Sequence, residues 1–158
     1  MSKDHLYQLN MRWTGNTGHG TRDYRSYERS YNISIENKPI IEGSSDLAFR
    51  GDATKYNPEE LLLASLSSCH MLWYLHFCAE ANVLVLDYKD AASGIMSESK
   101  NGSGAFKKVT LHPSVIVADE SMIQTAYELH KKANQYCFIA NSVNFKVDHQ
   151  ATCHVRSN

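Results

Sequence analysis

A helix-forming stretch near the middle of the chain constrains the fold more than any other feature. Residues 57–60, Asn-Pro-Glu-Glu, suit a helix start, with Asn at the N-cap, Pro at the first helical position and two carboxylates at the positive end of the helix dipole. The residues up to about position 81 are apolar on nearly all sides, which is typical of a helix surrounded by other elements. A membrane span is the alternative, but serines, histidines and Glu80 interrupt the stretch. The sequence therefore predicts a central buried helix.

Strand-like alternation of apolar and polar residues flanks this helix on both sides. Before the helix it occurs in residues 7–13, 31–35 and 38–42, and a long loop of residues 43–56 follows. After the helix, residues 83–96 and 107–117 are separated by an Asn-Gly-Ser-Gly turn and predict a hairpin. A second helix is predicted over 119–135, and strands over 143–147 and 153–158. This order predicts an α+β fold with mixed antiparallel sheets.

Composition limits the size and the class of the protein. A chain of 158 residues with 42% hydrophobic residues is expected to form a single globular domain, residues 1–158. The formal net charge is -1, with no basic cluster, which argues against a nucleic-acid partner. Four cysteines without an apolar leader segment predict reduced thiols and a cytoplasmic location.

The cysteines are candidates either for the core or for redox chemistry. Cys69 lies in the middle of the long helix, where a free cysteine usually packs as a small hydrophobe. Cys78, nine residues later, points to the opposite face, so it is interpreted as structural. Cys137 follows the second helix, where backbone N–H groups can favour a thiolate. Cys153 is interpreted as structural. From the residues alone, the role of Cys69 stays open.

Metal ligation is not predicted. The chain has no Cys-x-x-Cys and no His-Glu-x-x-His motif, and its eight histidines are scattered. His76 lies seven residues after Cys69, roughly 10 Å along the helix, which is too far for a shared metal or a direct ion pair. No metal and no other cofactor is expected.

The segment from Asn57 to Cys69 resembles the signature of the OsmC/Ohr family of thiol-dependent hydroperoxide reductases. In that family, a Pro-Glu helix start precedes the reactive cysteine by ten residues, as Glu59 precedes Cys69 here. Cys137, followed by Phe-Ile-Ala-Asn-Ser, is similar to the second cysteine of the family. The resemblance covers nearly the whole chain. It implies the OsmC-like fold, with sheets packed around a long central helix, and an intertwined homodimer.

The resemblance also implies a thiol-dependent peroxidase that reduces organic hydroperoxides. Cys69 would be oxidised to a sulfenic acid, Cys137 would resolve it to a disulfide, and an external dithiol would reduce the disulfide. A lipoylated protein is one candidate for that dithiol. The family activates the cysteine with an arginine from the N-terminal loop, held by the motif glutamate. These residues correspond to Arg22, with Arg25 as the alternative, and to Glu59.

Helix geometry agrees with the dimer that the resemblance implies. Glu59 and Cys69 are about 15 Å apart along one helix axis, and their directions differ by about 80°. One arginine cannot easily contact both within one helix, so Glu59 is expected to come from a second subunit. Glu60 points away from Cys69 and is interpreted as a carboxylate that complements the helix dipole.

An apolar substrate pocket is predicted beside Cys69. Helical spacing brings Leu66, Leu72 and Trp73 near the cysteine, and Phe49 and Tyr56 of the long loop are expected to cover it. Such a pocket favours an organic hydroperoxide over hydrogen peroxide, because the organic group supplies binding energy. The bulky run after Cys69, His-Met-Leu-Trp-Tyr-Leu-His, and the loop of residues 48–52, which lacks the glycine-rich character of the Ohr branch, indicate an outlying OsmC-like branch.

Two further functions compete with the peroxidase. The first is a non-enzymatic OsmC-like dimer that binds an apolar small molecule without turnover. The second is a thiol redox sensor that peroxide oxidises and that is re-reduced slowly.

Overall fold

A computed structural model describes residues 3–156 of the chain. It contains two α-helices and nine β-strands among these residues, and the chain divides between Leu61 and Leu62 into two compact units. The helix α1, Pro58–Glu80, begins at the predicted proline and ends one residue before the predicted end.

The first unit contains a three-stranded antiparallel sheet. Its strands are β1 (Asn10–Trp13), β2 (Tyr31–Ser34) and β3 (Ile41–Gly43), in the spatial order β1-β2-β3. A short 3₁₀ helix, Leu47–Phe49, interrupts the loop that leads to α1. All four β1 side chains are exposed, among them Met11 and Trp13. A three-stranded sheet needs a buried apolar face for stability. In this sheet the apolar side chains of β1 are left exposed.

The second unit has two mixed sheets and the helix α2, Ile123–Tyr136. One sheet has the order β4-β7-β9, built from Val85–Asp90, Pro113–Val117 and Thr152–Val155. The other has the order β5-β6-β8, built from Ser93–Glu98, Gly104–Leu111 and Lys146–His149. In each sheet the first two strands pair antiparallel and the last strand joins in parallel.

The structure confirms the predicted α+β fold class and refines its strands. The predicted hairpin exists as β5 and β6, but residues 83–96 and 107–117 each form two strands rather than one. The second break is at His112, whose backbone N–H donates to Asp90 Oδ1 at 2.7 Å rather than to a neighbouring strand. The pairs β6–β8 and β7–β9 are parallel, so each of these two sheets contains both parallel and antiparallel pairs.

Helix α1 packs into the core along one stripe of side chains. The buried positions are spaced three to four residues apart, as expected for one helical face; they are Leu66, His70, Tyr74, Phe77 and Cys78. Leu66 packs against Val109 and Leu111 of β6, and Tyr74 and Phe77 lie in a second cluster with residues of β7 and α2. Leu72, off this stripe, is 63% exposed, so the described chain buries less of α1 than predicted. By length and composition α1 also resembles a membrane span, a test that core helices of soluble proteins pass as well.

Asn57 and Glu60 form a reciprocal cap at the start of α1. The Asn57 side chain accepts from the Glu60 N–H at 2.8 Å, and the Glu60 carboxylate accepts from the Asn57 N–H at 3.1 Å. We expect Asn57→Ala to lower the free energy of unfolding by about 1 kcal/mol, because it leaves a helix N–H without an acceptor. Asn57→Asp is the control, since it retains the acceptor. Urea unfolding measures the difference, and equal midpoints for the two variants would contradict the capping role.

Candidate active site

Cys69 and Cys137 lie next to each other in the second unit. Cys69 is half-buried on α1, Cys137 is buried directly after α2, and both are free thiols. The Cys69 thiol lies close enough to the Cys137 thiol to contribute to its raised pKa. Of the four cysteines, these two are the pair that the family resemblance selects.

The local structure fixes the Cys137 thiol. Cys137 is the first residue after α2, with extended backbone angles (φ -63°, ψ 107°), and the chain then turns into a 3₁₀ helix, Ala140–Ser142. The Ala140 N–H donates to Cys137 Sγ at 3.4 Å. Burial, together with the neighbouring Cys69, raises the Cys137 pKa to about 11, although the backbone donors oppose this shift. Cys137 is therefore a neutral thiol at pH 7.

An apolar pocket of about 560 Å³ opens beside Cys69. Its volume lies within the usual range for small-molecule sites. The lining residues come from α1 and from the segment after Cys137; they are Ser65, Ser68, Cys69, Leu72, Trp73, His76, Phe138 and Ile139. The hydroxyls of Ser65 and Ser68 donate to α1 backbone carbonyls, so they add little polarity to the pocket wall.

Aromatic contacts hold Trp73 at the pocket wall. Its ring packs edge-on against Phe138 and stacks on Phe77 at an angle of 26°, with centroids 5.4 and 5.3 Å away. It also contacts Tyr136 of α2 at 5.4 Å. Trp73 thus joins α1 to the segment that carries Cys137, and such aromatic pairs add to the energy of area burial.

Asp90 anchors α1 close to Cys69. The Ser67 hydroxyl donates to Asp90 Oδ2 at 2.5 Å, and the other carboxylate oxygen accepts from the His112 N–H. Because Asp90 ends β4 and His112 separates β6 from β7, this carboxylate connects both sheets to α1 two residues before Cys69.

Three residues predicted to line the pocket, Leu66, Phe49 and Tyr56, are not among its lining residues. Leu66 is fully buried in the core and is not part of the pocket wall described above. Phe49 and Tyr56 belong to the first unit. The Phe49 carbonyl accepts from Ser45 Oγ at 3.1 Å, and Tyr56 is 62% exposed. Their contact with substrate stays a prediction.

The predicted activating groups also belong to the first unit. Arg22 is exposed and forms a loose ion pair with Asp23, at 3.8 Å. The Arg25 backbone N–H donates to Asp23 Oδ1 at 2.8 Å. Glu59 is in the first turn of α1. Burial, and after it the charge of Glu59, raises the pKa of the Tyr31 hydroxyl. The activation of Cys69 by Arg22 and Glu59 stays a prediction.

Comparison with known proteins agrees with this architecture. The family model described as OsmC-like protein matches residues 51–151, which include both cysteines of the site. The chain belongs to the OsmC-like protein family. As an OsmC-like protein, it is 26% identical over 157 residues to the uncharacterized protein YmaD of Bacillus subtilis (strain 168), covering 97% of this chain and 96% of YmaD.

Solved structures extend the comparison to the fold. An OsmC-like protein of unknown function from Vibrio cholerae O1 biovar eltor str. N16961 superposes with a TM-score of 0.84 and 28% identity, covering 94% of this chain and 99% of the other. An organic hydroperoxide resistance protein from Elizabethkingia anophelis, solved with thiocyanate bound, gives a TM-score of 0.65 at 20% identity, covering 99% of this chain and 100% of the other. This OsmC-like protein therefore shares its fold with proteins named for hydroperoxide resistance.

Sequence reasoning did not identify several residues of the site. Phe138 and Ile139 line the pocket, and their position directly after Cys137 was the available signal. Ser65 and His76 lie four residues before and seven after Cys69, and this helical spacing could also have identified them. Ser68, the residue before Cys69, carries no such spacing signal.

A buried histidine pair was also missed. His70 Nε2 and His130 Nδ1 are 3.1 Å apart, and both rings are fully buried. Burial lowers the pKa of His70 to about 4 and that of His130 to about 3, so both are neutral at pH 7. Within residues 3–156, no group of three or more His, Cys, Asp or Glu side chains is placed to hold a metal ion.

Proposed function

We propose that this protein is a cysteine-based peroxidase that reduces organic hydroperoxides to alcohols, with Cys69 as the peroxidatic and Cys137 as the resolving residue. The observation that carries the proposal is the placement of these two free thiols beside each other, one of them at the wall of an apolar pocket. Membership of the OsmC-like family supports it.

In the first step, the Cys69 thiolate attacks the outer oxygen of the hydroperoxide. The O–O bond breaks, Cys69 becomes a sulfenic acid, and the alkoxide takes up a proton and leaves as the alcohol. The pocket holds the organic group against Trp73 and Leu72. Hydrogen peroxide has no such group, so we expect it to react more slowly.

In the second step, Cys137 attacks the sulfur of the sulfenic acid. An S–S bond forms, the S–O bond breaks, and the departing hydroxide combines with the Cys137 proton as water. An external dithiol then exchanges with the disulfide and restores both thiols, while it is itself oxidised to a disulfide. A lipoylated protein is one candidate for that reductant. The cycle suits a cytoplasmic protein whose thiols are kept reduced.

A homodimer is part of the proposal. The exposed apolar side chains of β1, together with Leu72 and Phe138, which are 63% and 66% exposed, provide surface that a second copy would cover. We propose that Arg22 contacts the Cys69 sulfur and that Glu59 of the second subunit holds this arginine, as the spacing of Glu59 and Cys69 along α1 suggests.

Thiol counting tests the proposal directly. We expect the reduced protein to lose two of its four thiols on mixing with one equivalent of cumene hydroperoxide, and to form cumyl alcohol in the same amount. We expect hydrogen peroxide to react at least about tenfold more slowly, because it gains no binding energy from the pocket. If all four thiols persist in excess peroxide, the peroxidase proposal fails. Saturable binding of cumyl alcohol would then favour a binding protein.

A further inference from the structure

Two buried histidines connect the helices that carry the two cysteines. His70 directly follows Cys69 on α1, and His130 lies on α2, seven residues before Cys137. Their facing nitrogens share a hydrogen bond of 3.1 Å, and the two ring planes are parallel within 2°. The second nitrogen of each ring has no hydrogen-bond partner among the described residues, so the shared bond is the one each ring makes there.

This bond is the directional element of the α1–α2 interface. Within residues 3–156 it is the only buried hydrogen bond between side chains of the two helices. Lys132 makes the other polar links, a surface ion pair with Glu80 at 3.9 Å and a cation–π contact with the Phe77 ring, 3.9 Å from its centroid. The rest of the interface consists of apolar contacts, which allow small relative shifts of the helices. A hydrogen bond permits less freedom, because its strength depends on both distance and angle.

The surroundings of the pair restrict it further. The Tyr74 ring stacks on His130 with centroids 3.8 Å apart, and the His149 ring lies 5.5 Å from His70. His130 lies on the buried face of α2, and Cys137, the first residue after this helix, is buried as well. A shift of His130 along α1 therefore moves Cys137 as well.

We propose that His70 and His130 are positioning residues that hold the Cys137 thiol in place to attack oxidised Cys69. The inference rests on the proposed function and assigns the pair to its second step, in which the S–S bond forms, the S–O bond of the sulfenic acid breaks and water is released. Neither histidine contacts the hydroperoxide in this scheme. The pair acts through the separation of the two sulfurs.

A matched pair of substitutions at His130 tests the positioning role. In His130→Asn the side-chain amide occupies the place of Nδ1 and retains a partner for His70, whereas His130→Leu removes it. We expect sulfenic acid formation in both variants to stay within about threefold of the wild type. We expect disulfide formation to slow about tenfold or more in His130→Leu only, because displacement of a reacting group by about 1 Å costs up to a hundredfold in rate.

Dimedone trapping measures the first step, and loss of the second thiol measures the resolving step. Lys132→Gln, which breaks the surface link between the same helices, is the control and is expected to resolve like the wild type. If His130→Leu does not fold, His70→Phe/His130→Phe replaces it, since two apolar rings fill the same space. Disulfide formation at the wild-type rate in His130→Leu or in the double variant overturns the inference. Equal slowing in His130→Asn and His130→Leu also does.

A second oxidant separates this inference from the peroxidase proposal. The Cys69 thiolate attacks oxidised glutathione, whose S–S bond breaks, so that one glutathione thiolate leaves and a mixed disulfide forms. Cys137 then displaces the second glutathione thiolate, with the same geometric requirement. One outcome is that the wild type does not react with peroxide, and that His130→Leu forms the Cys69–Cys137 disulfide more slowly than the wild type when oxidised glutathione is the oxidant. In that case the peroxidase proposal fails and the positioning role of the pair stands. If peroxide consumes two thiols but neither oxidant distinguishes His130→Leu from the wild type, the positioning pair fails alone.

Discussion

Cys69→Ser is expected to abolish hydroperoxide reduction, lowering the rate at least about a thousandfold, or about 4 kcal/mol of barrier. The reason is chemical, because a serine hydroxyl is a much weaker nucleophile than a thiolate. Cys69 also has the exposure that the reaction requires, since it lies at the pocket wall and is half-buried. Peroxide consumption in the presence of a small dithiol measures the loss.

The other cysteines provide controls for Cys69→Ser. Cys137→Ser is expected to react with one equivalent of hydroperoxide and to stop at a sulfenic acid that dimedone labels. Cys78→Ser, at a buried core position, is expected to retain both steps if it folds. Loss of two thiols in Cys69→Ser would exclude Cys69 as the peroxidatic residue, whatever the behaviour of the other variants.

Acid is expected to destabilise the protein between about pH 6 and pH 4 through the buried histidine pair. The folded-state pKa values of His70 and His130, about 4 and about 3, lie below the ordinary value of 6.5. Between these limits the unfolded state binds more protons, so stability rises with pH and is lost as the pH falls. Each histidine contributes up to about 1.4 kcal/mol per pH unit in this window.

Urea unfolding at a series of pH values measures this effect. The double variant His70→Phe/His130→Phe is expected to reduce the dependence between pH 6 and pH 4 to the part that comes from His149, whose pKa is also lowered by burial. His76→Gln, which changes an exposed histidine on the same helix, is expected to retain it. The carboxylates with lowered pKa, Asp52, Asp119 and Asp148, lose their contribution only as the pH falls through and below the ordinary value of 3.8. An equally steep loss in the double variant would contradict the assignment to the pair.

Local patterns in the sequence were sufficient to locate most elements of the fold. The Asn-Pro-Glu-Glu start of α1 was predictable because capping depends on residues within one turn. The break at His112 was not, because alternation continues on both sides of it and the partner of its N–H, Asp90, is 22 residues away in sequence. Parallel pairing of β8 and β9 likewise depends on partners that no local pattern specifies.

The residues of the candidate site also form two groups, those that local sequence patterns predict and those that they do not. Cys69, Trp73 and Leu72 lie within one stretch of helix, so helical spacing was enough to group them. The contact between Cys69 and Cys137 came from a family resemblance, since 68 residues separate them. The His70–His130 bond, which joins residues 60 apart, was predictable from neither source, because burial and partner depend on how α1 packs against α2.

The two parallel strand pairs have a consequence for which changes in chain length the fold tolerates. Lys108 pairs with Lys146, and Ser114 pairs with Thr152. The parallel partners are therefore the same number of residues apart in both sheets. An inserted or deleted residue between β7 and β8 would shift both registers together and turn the side chains of β8 and β9 to the opposite faces, unless a loop absorbed it. The segment that contains α2 thus works as a spacer of fixed length that is shared by two sheets.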